Sequence, residues 1–116
     1  MKRSQNRAAA VTGHPLVGVW VEEGNPIDTT TVVYTITEVG ESLSVSGVDQ
    51  SDGIALSISN TVWDGEGLHF VSLFPPSQHQ ASHEFVLVDT GRARHRVSYS
   101  DEDGNHTVNE VWKKIS

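Results

Sequence analysis

The chain has 116 residues, no cysteine, one methionine and a formal net charge of −7. That length accommodates one domain built around one core, and the missing cysteine excludes disulfide-stapled folds, zinc ribbons and thiol enzymes. No apolar run exceeds four residues, far short of the roughly 20 that span a bilayer. Apolar residues make up 36% of the chain and charged residues 20%, which argues against disorder over most of it. Lys2, Arg3 and Arg7 precede no apolar leader segment. The expectation is therefore a cytoplasmic protein with no membrane partner.

Charge is unevenly placed. All 15 acidic residues lie at Glu22 or later, and removing the three tail cations leaves −10 on the remainder (−7 − 3). Such a body repels polyanions, so no nucleic-acid partner is expected. Arg92, Arg94 and Arg96 alternate and share one strand face. They read as a solvated outer stripe facing acids such as Glu84, in preference to an anion site.

In chain order, the first 13 residues read as a disordered tail ahead of a single domain over 14–116. Period-two alternation then dominates, with no helical period. It predicts eight strands: Leu16–Glu23, Thr30–Glu38, Ser42–Val48, Ile54–Trp63, Leu68–Phe74, Ala81–Val88, Arg92–Ser100 and His106–Lys114. Between them lie Val39-Gly40, Asp52-Gly53, Asp64-Gly65, Asp89-Thr90-Gly91 and Asp103-Gly104-Asn105, all turn chemistry. Pro75-Pro76 marks an irregular connection that no central strand tolerates. Gly24 to Asp28 forms the other long link, expected to loop over one end.

Seven short connections imply an antiparallel meander, and no segment remains to cover an open sheet. Closure buries one face and removes the edges, so the expected fold is all-β, an eight-stranded antiparallel up-and-down barrel without significant helix. A two-sheet sandwich is the alternative, but its long crossovers are missing.

Gly18-Val19-Trp20 on the first strand resembles the Gly-x-Trp signature of the lipocalin-like (calycin) barrels. The closing Asn109-Glu110-Val111-Trp112-Lys113-Lys114, and Trp63-Asp64-Gly65 followed by Leu68-His69-Phe70, resemble small bacterial members of that group. The likeness covers roughly residues 15–114. It implies a barrel with an internal cavity whose closed end is packed by Trp20, and it carries over no catalytic residue. The chain departs from true lipocalins in lacking disulfides and a C-terminal helix.

Turn positions predict a register. Ile36 is set opposite Leu43, Tyr34 opposite Val45, and Val45 opposite Leu56. Ile58 meets Ser72, and Asn60 meets Phe70. Phe70 then faces Phe85, Ser72 faces His83, Phe85 faces His95, His95 faces Glu110, Val97 faces Val108, and Ala93 faces Trp112. This face collects most of the large apolar groups and is taken as the interior. The opposite face carries Val17, Val19, Val21, Val33, Val71, Leu73, Val86, Val88 and Val111, which leads to an expected homodimer through an outer sheet face.

Two functional readings follow. In the first, the barrel binds a small apolar or amphipathic molecule against Tyr34, Ile36, Leu56, Ile58, Asn60, Phe70, Ser72, Phe85, Val97 and Tyr99. In the second, His83, His95 and Glu110 perform acid–base catalysis of an isomerase, cyclase or dehydratase type in the same cavity. The carboxylate is expected to raise the His95 pKa. No metal signature and no phosphate loop are present, so no cofactor is expected.

Overall fold

The computed structural model describes residues 14–23 and 32–116. The expected tail over 1–13 and the link at Gly24 to Asp28 lie outside the described residues. The eight strands are β1 (Gly18–Glu22), β2 (Val32–Val39), β3 (Ser42–Asp49), β4 (Ser57–Trp63), β5 (Leu68–Phe74), β6 (His79–Asp89), β7 (Arg92–Asp101) and β8 (Gly104–Lys114). They form one antiparallel sheet in the order β3-β2-β1-β8-β7-β6-β5-β4. The ends meet at a single bridge between Val48 and Ala55, reinforced by backbone bonds from Asp49 N to Ile54 O and from Leu56 N to Gly47 O. The result is a nearly closed eight-stranded barrel. Among the described residues there is no helix, and so none long and apolar enough to cross a membrane.

Alternation drives this closure. One face of the ribbon supplies Trp20, Tyr34, Ile36, Val45, Leu68, Phe70, Phe85, Ala93 and Trp112, which are buried together with Leu16 as one cluster. Only by curling on itself can a lone sheet hide that face, because no second layer covers it among the described residues.

Two glycines are required by this packing. Gly18 has φ +148°, and a Cβ there would run into the Lys114 stem and lie 2.6 Å from Ser116 O. Gly47 sits opposite Tyr34, and a Cβ on it would come within 2.9 Å of the Tyr34 ring. The phenol therefore lies over bare backbone on β3. This is the close approach that only glycine permits.

The register agrees with expectation over the last three strands. Phe85 faces His95, His95 faces Glu110, Val97 faces Val108 and Ala93 faces Trp112. Ile58 also meets Ser72. Elsewhere the pairing is displaced by two residues: Ile36 faces Val45, Tyr34 faces Gly47, Phe70 faces His83, and Ser72 faces Ala81. Leu56 bonds to Gly47, so the expected partner Val45 is displaced in the same way. Asn60 does not meet Phe70. It has φ 54° within a bulge between Ser59 and Val62, and its side chain is on the exposed surface.

Candidate functional site

The strands β5 to β8 bring the polar residues of the inner face into one line. Ser72 Oγ lies 2.7 Å from His83 Nε2. His83 Nδ1 lies 2.8 Å from His95 Nε2, with the two rings nearly parallel at 13°. His95 Nδ1 is 3.3 Å from Glu110 Oε1, and that oxygen also accepts the Trp112 indole N–H at 2.7 Å. Tyr34 lies at the far end, close enough to Ser72 for that hydroxyl to oppose the raising effects of burial and Glu110. Ser72, His83 and His95 are buried, whereas Glu110 is only partly so. The contact to Glu110 is not a linear hydrogen bond, since His95 Nδ1 is a buried nitrogen without a well-aligned partner. Glu110 therefore meets His95 through a bent contact, in which the hydrogen-bonding effect still exceeds the charge effect.

Proton positions follow from the donor inventory. A carboxylate only accepts, so Nδ1 of His95 carries the proton that faces Glu110. Neutral His95 then accepts at Nε2, and His83 donates to it from Nδ1. His83 in turn accepts at Nε2 from the Ser72 hydroxyl. Each donation points one way, from Ser72 toward His95 and Glu110. Both imidazoles are neutral.

The electrostatics support that assignment. Burial holds the His83 pKa down, with His95 pushing the same way and Glu110 opposing, to about 3. Burial also lowers the His95 pKa against the hydrogen-bonding and charge effects of Glu110. This corrects the expectation that the carboxylate would win. His95 is 1% exposed, deep enough for desolvation of the cation to exceed one imperfectly aligned carboxylate. Glu110 is lowered, first by His95 and then by the Trp112 indole, with burial opposing. Burial, with the charge of Glu110, raises Tyr34.

The inner wall divides into a packed part and an open part. Tyr34, Ile36, Phe70 and Phe85 are 0–3% exposed, and Trp112, Phe85 and His95 all pack against Tyr34. Leu56, Ile58, Val97 and Tyr99 are only partly buried. Val108, opposite Val97, is 39% exposed although its side points inward. Among the described residues nothing fully covers this upper wall, and Glu110 borders it. Tyr99 lies further up, between His79 and His106.

Glu22 completes this region and escaped the sequence reading. It pairs with Trp112 on β8 and lies near enough for Glu110 to raise its pKa, after burial as the first cause. The signal was available, because Glu22 is two residues from inward Trp20 and so shares its face. Two neighbouring carboxylates are thereby pushed in opposite directions.

Among the described residues, no group of three or more His, Asp or Glu is gathered to hold a metal ion. No protein-family model matches the chain, and no curated protein matches it either.

Proposed function

We propose that the protein is a lipocalin-like barrel that binds a small, mostly apolar molecule against the upper inner wall, with a donor group of the ligand on Glu110. The observation that carries this reading is the partial exposure of inward-facing Val97, Val108 and Ile58 beside an ionised carboxylate. An apolar wall with one convergent polar anchor is the usual composition of a small-molecule site. Packing of the lower half by aromatic rings restricts the ligand to a compact one, well short of a fatty acid. Gly18 and buried Trp20 support the lipocalin-like assignment, because Trp20 packs with Leu16 at the closed end.

N-phenylnaphthylamine, an apolar fluorophore with one N–H donor, tests the site. Saturable fluorescence enhancement is expected with the native chain, and a loss of affinity of at least about tenfold with Val108→Arg. Enhancement that is unsaturable, or equal in both proteins, contradicts the reading.

One observation favours a second reading as an acid–base enzyme of the same cavity. Glu22 and Glu110 have pKa values moved apart by their surroundings, the arrangement by which carboxylate pairs divide acid and base roles. Glu110→Gln separates the readings: it abolishes turnover if the carboxylate is the base, while apolar binding persists. The outward Val88 and Val111, 61% and 46% exposed, support a homodimer through β6 and β8, which the sedimentation mass of the full chain checks.

A further inference from the structure

The upper end of the barrel contains a second concavity, beyond Val97 and Val108 and sharing Tyr99 with the inner wall. The β6–β7 ladder ends at Ala81 opposite Tyr99. Beyond that pair, β6 continues against β5 as far as Phe74 opposite His79. Likewise β7 continues against β8 as far as Asp101 opposite Gly104. The two hairpins therefore splay, and the fork between them is a cleft of about 540 Å³.

Its lining is distinctive. Ser77, Gln78, Gln80, Ser82, Tyr99 and Asp101 contribute hydroxyls, amides, one aromatic ring and one carboxylate, without any Lys or Arg. Part of this set is held in place. The Gln78 side-chain nitrogen donates to Pro75 O at 2.9 Å, and its backbone has φ 61°. Asp101 Oδ1 is occupied by His106 Nε2 at 2.9 Å and by the Asp103 N–H at 2.8 Å. The Tyr99 ring is fixed between His79 and His106, at centroid distances of 5.4 and 5.0 Å. Gln80 and Ser82 are on the exposed surface at the cleft wall.

These features select among ligand classes. An inorganic or organic anion needs a cationic partner, and the lining holds no permanent cation. An apolar ligand needs apolar wall, and only Ala81 and the Tyr99 ring supply it. A neutral polyol matches the density of hydroxyl and amide groups, and Ala81 with the Tyr99 ring edge offers a small apolar contact to its C–H groups. We propose that the fork between the β5–β6 and β7–β8 hairpins binds a neutral carbohydrate, at a site distinct from the apolar wall of Ile58, Val97 and Val108.

The test is an amide-resolved NMR titration of the full chain with separate neutral sugars: glucose, galactose, mannose, N-acetylglucosamine, maltose and cellobiose. Sulfate and hexanoate are titrated in parallel. The expected result is saturable shifts of Gln78 to Ser82 and Ser98 to Asp101 with at least one sugar, and none there with sulfate or hexanoate. Ser82→Leu, an exposed position that should fold normally, is expected to weaken that sugar by about tenfold or more. Absence of saturable shifts with every sugar overturns the proposal. So does saturation of the cleft by sulfate or hexanoate, or a Ser82→Leu protein with unchanged sugar affinity. Loss of N-phenylnaphthylamine binding in that variant would likewise overturn the distinction between the two sites.

Discussion

Trp20→Ala is expected to cost about 3–5 kcal/mol, the range for truncating a fully buried large aromatic. Trp20 is 0% exposed and donates its indole N–H to Leu16 O at 2.9 Å. Its ring meets Phe85 edge to face at 6.0 Å, and Lys114 Nζ stands 5.8 Å from the ring centroid. Removing the indole opens a void at the closed end and leaves the Leu16 carbonyl without its donor. Urea denaturation should show a lower midpoint with an unchanged slope. Trp20→Phe keeps a ring and loses the N–H, so an intermediate cost of about 1–3 kcal/mol is expected. A loss below about 1 kcal/mol for the alanine variant would mean the barrel end is not held there.

The second large effect is acid lability. His83 is buried neutral, and its folded-state pKa of about 3 lies below the ordinary imidazole value of 6.5. Between those values the unfolded chain binds more protons than the folded one, so stability rises with pH. The contribution is fully present above pH 6.5 and is lost as pH falls toward 3. At 1.36 kcal/mol per unit, the full shift amounts to roughly 5 kcal/mol, of which roughly 3 kcal/mol is lost by pH 4. Glu110 adds in the same direction, since its lowered pKa stabilises above the usual carboxylate value and that contribution fades in acid. Native and His83→Gln proteins should therefore converge in stability as pH falls from 7 to 4. Parallel pH curves would show that His83 is not the group protonated on unfolding.

Much of this architecture was legible because strand alternation is insensitive to even slips. The turn after β2 centres on Gly40-Glu41, with Val39 opposite Ser42, whereas the sequence suggested Val39-Gly40. That single-residue difference displaces every β2–β3 pair by two and returns each side chain to the same face. The β5–β6 connection behaves alike, because Gln78 adopts positive φ and the ladder resumes at His79. Period two thus identified the inward His83, His95, Glu110 and Ser72 even where their partners were misplaced. Glycine-bearing turns with their ends correctly located gave the β6–β7 and β7–β8 pairs directly.

What stayed hidden depends on depth and on local backbone departures. Alternation puts Asn60 inside, but positive φ and a bulge turn it outward. Asn is among the residues that tolerate this conformation, so the residue type permits the bulge without announcing it. The balance between Glu110 and burial at His95 could not be weighed from pairing alone. Pairing states that the two residues meet, whereas desolvation depends on how completely Tyr34, Phe85 and Trp112 enclose the ring. Glu22 was missed for a simpler reason, since the predicted register paired no residue of β1 with β8 and so did not bring it beside Trp112 and Glu110.

At the centre of the site is a one-way run of donations from Ser72 through His83 to His95, whose Nδ1 faces the Glu110 carboxylate. Long-range proton–nitrogen NMR of the histidine rings near pH 6, below the unperturbed imidazole value of about 6.5, reads both charge and tautomer. His83 should be neutral, and each neutral ring should carry its proton on Nδ1 with a bare Nε2. A positive charge on His83, or a proton on Nε2 of either neutral ring, would contradict the chain.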